Sequence, residues 1–166
     1  MAKTYEPIAT TTLGSSATTV TFSSIPSTYT DLVIVGNVLN TSTTVRNVYV
    51  QFNGDTTSSY SKTVLYGNGS SAVSARDTSS PAIYSLSITA GSTTETASTI
   101  INIMNYANTT TYKTAIGRYN VASNSVAATV GMWRKTDAIT SVTLTVDTAL
   151  NLAAGSTFTL YGIKAA

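Results

Sequence analysis

The sequence predicts an all-β protein, an antiparallel sandwich of about ten short strands, and three observations point there. Short segments rich in Val, Ile, Thr and Tyr alternate with clusters of Gly, Asn, Ser and Asp, which are turn formers. No stretch sustains the 3.6-residue apolar repeat of a helix. The three prolines, Pro7, Pro26 and Pro81, fall outside every proposed strand, where a missing ladder donor does no harm.

The first sixteen residues, Met1 to Ser16, read as an extended N-terminal arm, and residues 17–166 as a single sandwich domain. Thr18 to Phe22 alternates, with Val20 and Phe22 on one face, and Ile25-Pro26 stops it. Asp31 to Leu39 carries Leu32, Val33, Ile34 and Val35 in succession, the pattern of a strand covered on both faces. Val45 to Phe52 alternates cleanly and closes on the turn Asn53-Gly54-Asp55. Lys62 to Tyr66 follows, and then Gly67 to Ser80 reads as a long loop poor in core-forming residues. Further strands are expected at Ile83–Ile88, Thr99–Asn105, Thr111–Tyr119, Val126–Trp133, Ile139–Val146 and Thr157–Ile163. Ala149 to Ala154 could form one helical turn, but Gly155-Ser156 better suits a turn into the last strand.

Composition then limits the chemistry. The 166 residues hold no His and no Cys, only 10% are charged, and Ser and Thr make up about a third. Imidazole bases, thiolate nucleophiles, disulfides and thiolate metal sites are therefore absent. The carboxylates Asp31, Asp55, Asp77, Asp137 and Asp147 sit at ordinary turn or strand-end positions, and no spacing brings two of them together as an acid/base pair. The residues thus predict a protein that is not an enzyme, with no cofactor and no bound metal. The nine Lys and Arg are scattered, with only Arg134-Lys135 adjacent, so the formal charge of +2 predicts no nucleic-acid partner. No apolar run suggests a membrane segment or a secretory leader, and a cytoplasmically made chain is expected. Tyr is abundant, with ten copies. Tyr66, Tyr84, Tyr106, Tyr112 and Tyr161 are expected at the core boundary with wet hydroxyls, and Trp133 as a core or rim anchor.

Several stretches together resemble a known group. Tyr5-Glu6-Pro7-Ile8, Val20 to Pro26, Tyr29 to Val33, Phe52-Asn53-Gly54-Asp55, Tyr66-Gly67-Asn68-Gly69, Trp133-Arg134, Ile139 to Leu144 and Phe158 to Lys164 are similar to small virion proteins of tailed phages, notably those of cyanobacteria and other aquatic bacteria. That resemblance implies a jelly-roll sandwich working as a homo-oligomer, often a trimer, with no catalytic residues. It implies a capsid decoration or cement protein on the outer head surface, with the major capsid protein as partner and the virion as location. The alternative within the same resemblance is a receptor-binding or tail-fibre-associated module that contacts host surface polysaccharide. Partner contacts are expected from the arm, through Tyr5, Ile8 and Leu13, and from the segment after Gly67, through Asn68 and Arg76.

Overall fold

The computed structural model describes residues 4–90, 92–123, 125–146 and 150–164, with the backbone alone for 85–90. Twelve strands run in chain order as β1 (Tyr5–Thr12), β2 (Thr19–Phe22), β3 (Asp31–Val38), β4 (Arg46–Phe52), β5 (Tyr60–Gly67), β6 (Ala72–Ser80), β7 (Ile83–Ala90), β8 (Ala97–Met104), β9 (Lys113–Val121), β10 (Ser125–Trp133), β11 (Val142–Val146) and β12 (Thr157–Ile163). They form an eight-stranded sheet in the order β1-β12-β3-β8-β9-β10-β5-β6 and a four-stranded sheet in the order β2-β11-β4-β7. Every pairing is antiparallel. The expected all-β sandwich is present, and its one core lies between the two sheets.

Alternation decides which residues fill that core. Val48, Val50 and Phe52 of β4, Leu144 of β11 and Val20 of β2 point from the small sheet onto Ile34, Ile101, Ile103, Phe158 and Leu160 of the large one. On β9 and β10 the inward residues are mostly small: Ala115 and Gly117, then Ser125, Ala127, Thr129 and Gly131. The missing side-chain volume is taken up by backbone, because β7 runs directly against β8, β9, β10 and β5.

One end of the core is closed by aromatic rings. Trp133 stacks on Tyr60 with centroids 6.3 Å apart and meets Phe52 edge-on at 5.8 Å. The polar tips of these rings are all used: the Tyr60 hydroxyl accepts the Phe52 amide at 2.9 Å, and Trp133 Nε1 donates to Asp55 at 2.7 Å. Asn53 (φ 52°) and Gly54 (φ 65°) supply the left-handed backbone this turn needs. Asn53 Oδ1 then accepts the amides of Thr140 and Ser141, tying the turn to the connection before β11. Trp133 is thus a core anchor, as expected. Tyr106 departs from expectation, being wholly buried with its hydroxyl donating to the Pro26 carbonyl.

Two stretches expected to lack strand pairing form the edges of the large sheet. Tyr5–Thr12, read from sequence as part of an extended arm, is extended but laid along β12 in register from Tyr5↔Ile163 to Thr12↔Thr157. Leu13 continues the attachment, its amide donating to Ser156 and its carbonyl accepting from Gly155. Ala2 and Lys3 lie outside the described residues. The segment read as the loop from Gly67 to Ser80 is, after a tight turn, strand β6, paired with β5. Both were missed for one reason: an edge strand buries little on either face, so Ala72–Ser80 lacks the apolar alternation of an inner strand.

Candidate functional site

The two faces of the large sheet differ in what they carry. Cross-strand register places Leu65, Ala128, Arg118, Ile100 and Val35 in one row across the outer face, from β5 to β3. The adjoining row holds Val130, Ile116 and Asn102, with Val126 beyond on the other side. Leu65 and Val126 are 63% and 61% exposed, and Val35, Met104, Ile116 and Val130 are exposed as well. A sheet with one face in water normally alternates apolar-in with polar-out. This one carries exposed aliphatic side chains on its solvent side, set among polar ones such as Ser98, Asn102, Asn120 and Thr63.

With strands about 4.8 Å apart and about 3.4 Å per residue, the outer face from β3 to β5 spans roughly 550 Å², and about half of its outward positions are apolar. The apolar part, on the order of 300 Å², lies at the lower end of the largest apolar patches on ordinary monomers, about 300–600 Å², which are often functional.

Arg118 stands near the middle of the patch, exposed, between Ile100 and Ala128. Two open troughs meet at it, of about 450 Å³ toward Leu65 and Val126 and about 380 Å³ toward Ser98 and Ile100. Its guanidinium makes no ion pair with a described carboxylate. Those carboxylates are largely engaged elsewhere: Asp77 with Lys62 at 3.3 Å, Glu6 with Lys164 at 2.9 Å, and Asp31 with the Asn105 amide at 2.6 Å. Glu95 accepts the amide and hydroxyl of Ser123, which hold its carboxyl below the usual range. Asp147 lies outside the described residues.

Asp55 is the most perturbed carboxylate. Burial by itself would raise its pKa, but hydrogen bonds from Thr57 and Trp133, together with the Lys135 ammonium 3.5 Å away, outweigh it and hold the carboxyl at about 2. Its role is to lock the aromatic end of the core. Lys113 is also buried, its ammonium donating to the carbonyls of Thr111 at 2.8 Å and Thr136 at 3.0 Å. Burial pushes its pKa down, and Asp137 partly opposes this.

The contact residues expected from sequence are scattered. Tyr5 is exposed on the β1 edge, edge-on to Tyr161. Ile8 and Leu13 are half-buried and pack against the core, where the irregularity between Pro7 and Ala9 and the continued pairing beyond β1 turn them. Asn68 is spent on its own turn, its Oδ1 accepting the amides of Ser70 and Ser71. Arg76 is exposed on β6 and borders the outer face beside Thr63 and Val130. Arg118 and its aliphatic surround were missed. The available signal was β10, whose Val126, Ala128, Val130 and Met132 are as apolar as the alternate set.

No family model matches the chain, and no curated protein matches it. Among solved structures it is similar to the alginate lyase Aly36B, at 10% identity and a TM-score of 0.37 over 93% of this chain and 77% of that one. It is also similar to a double mutant of that lyase in complex with an alginate tetrasaccharide, at 11% identity and a TM-score of 0.24 over 76% and 70% of the two chains. The expectation that the chain is not an enzyme finds no support in these matches, which are to enzymes. Missing His and Cys removes imidazole and thiolate chemistry, whereas Tyr, Lys and carboxylates also perform acid–base work. Likeness at this level assigns no reaction to this chain.

Proposed function

We propose that the protein is a structural component of a tailed-phage particle, decorating the outer surface of the head and docking on the shell through the outer face of its large sheet. The observation that carries this reading is the aliphatic patch around Leu65, Ile116, Val126 and Val130, which no part of the described chain covers. At ~25 cal/mol per Å² of apolar surface, covering an apolar part on the order of 300 Å² releases at most about 8 kcal/mol, against an association cost of about 4–15 kcal/mol. One copy on one flat surface is therefore held modestly, and a copy spanning neighbouring capsomers is held better. The resemblance of stretches over nearly the full length of the sequence to small virion proteins supports the same reading.

A polysaccharide partner fits this face less well. Sugar-binding faces use aromatic platforms beside polar groups; this face carries polar groups in Ser98, Asn102, Arg118 and Asn120, but the row from Leu65 to Val35 presents aliphatic side chains in place of an aromatic platform. The test is quantitative mass spectrometry on purified virions separated into heads and tails. Copies of this chain in the head fraction, in proportion to the major capsid protein, are the expected result. Its recovery from tails alone would overturn the proposal.

A further inference from the structure

We infer that the surface docking on this face is a protein surface presenting an Asp or Glu carboxylate to Arg118 within an apolar surround, and that it is not a second copy of this chain. The inference rests on the docking reading above and specifies its chemistry. The physical reason is desolvation. Arg118 stands near the middle of the patch, so any partner that covers Leu65, Ile116 and Val126 also removes water from its guanidinium. A buried charge without an opposing charge costs several kcal/mol; Ser98 and Asn120, which share a trough with Arg118, are neutral acceptors and supply no such charge, and Ile100 and Ala128 supply no acceptor at all. A docking surface that brings a carboxylate matches both the charge and the guanidinium fork, with two parallel hydrogen bonds.

Charge also argues against self-docking. Cross-strand register gives the outer face of β3, β8, β9, β10, β5 and β6 two charged side chains away from the strand ends, Arg118 and Arg76, both cations. The Asp31 carboxylate, at the start of β3, is taken by the Asn105 amide, and Asp77 is paired with Lys62. Two copies face to face would oppose like charges across an apolar seam, which selects against that pairing. Arg is also among the residues enriched in binding hot spots.

The test uses purified heads from a virus lacking this gene, titrated with the wild-type protein and with Arg118→Ala, Arg118→Lys, Arg118→Glu and Val126→Asp. Thermal unfolding serves as the folding control; because Arg118 is exposed and makes no ion pair with a described carboxylate, its variants should melt like wild type. Arg118→Ala should weaken head binding by about thirtyfold or more, Arg118→Lys by less, and Arg118→Glu should abolish it. If all three Arg118 variants bind like wild type while Val126→Asp fails, the carboxylate inference is overturned and the docking face stands. If wild type binds no heads, the docking reading fails and this inference with it. Arg118-dependent binding to a polyuronate, without head binding, would replace the protein partner by an acidic glycan and likewise overturn the inference.

Discussion

In the middle of β9 and β10, between inward Lys113 and Trp133 at one end and Tyr119 and Val121 at the other, the two faces invert the usual distribution of side-chain size. Inward, Ala115, Gly117, Ala127 and Gly131 are small and closely covered; outward, Ile116, Val126 and Val130 are branched, aliphatic and exposed. A chain selected only to fold would gain by burying the larger set, since burying one such side chain stabilises by about 1.5–3 kcal/mol. Small residues inward let β7 approach, and large residues outward make a contact surface. The contrast teaches that one strand pair can serve two packings, one within the chain and one reserved for a partner.

Substitutions can break this contrast from the inside. The largest effect is expected at the aromatic end, where Trp133→Ala should cost about 3–5 kcal/mol in urea unfolding, because it opens a cavity beside Tyr60 and Phe52 and leaves Asp55 without its indole donor. Asp55 makes the same end sensitive to acid. Its folded pKa of about 2 lies below the usual 3.8, so its contribution is present above pH 3.8 and is lost as pH falls through 2. A shift of that size corresponds to about 2 kcal/mol. Urea midpoints followed from pH 5 to pH 2 should show this loss in the wild type, and Asp55→Asn should start lower and flatten the profile.

The neighbouring residues Ala115 and Ile116 test the two faces one position apart. Ala115→Leu should cost about 1–3 kcal/mol by overpacking against the covered side. Ile116→Thr should change stability by no more than about 0.5 kcal/mol, since it already faces water. Equal costs at the two positions would mean that the outer face is packed within the chain. The smallest expected effect on stability belongs to Leu65→Ser, which should leave the unfolding midpoint unchanged and lower the binding of a hydrophobic dye.

Much of the sandwich was legible in sequence because inner strands advertise themselves. Val48, Val50 and Phe52 alternate with polar neighbours, and Asn53-Gly54 marks its turn by residue type. Edge strands do not: β1 and β6 owe their place to ladders with β12 and β5, and their side chains carry little record of it. The candidate site was less legible still. Leu32 to Val35 suggests a strand covered on both faces, and the structure covers Val33, 3% exposed, but leaves Val35 on the same outer face 40% exposed. Arg118 looks like any solvated surface charge until register sets it between Ile100 and Ala128.

The docking claim is tested most directly by electron cryo-microscopy of intact particles at a resolution that orients the sandwich. The expected density sits on the head with the β3-β8-β9-β10-β5 face against the shell and Leu65, Arg118 and Val126 at the contact. A sandwich seated by its β1 or β6 edge, with that face open to solvent, would contradict the claim.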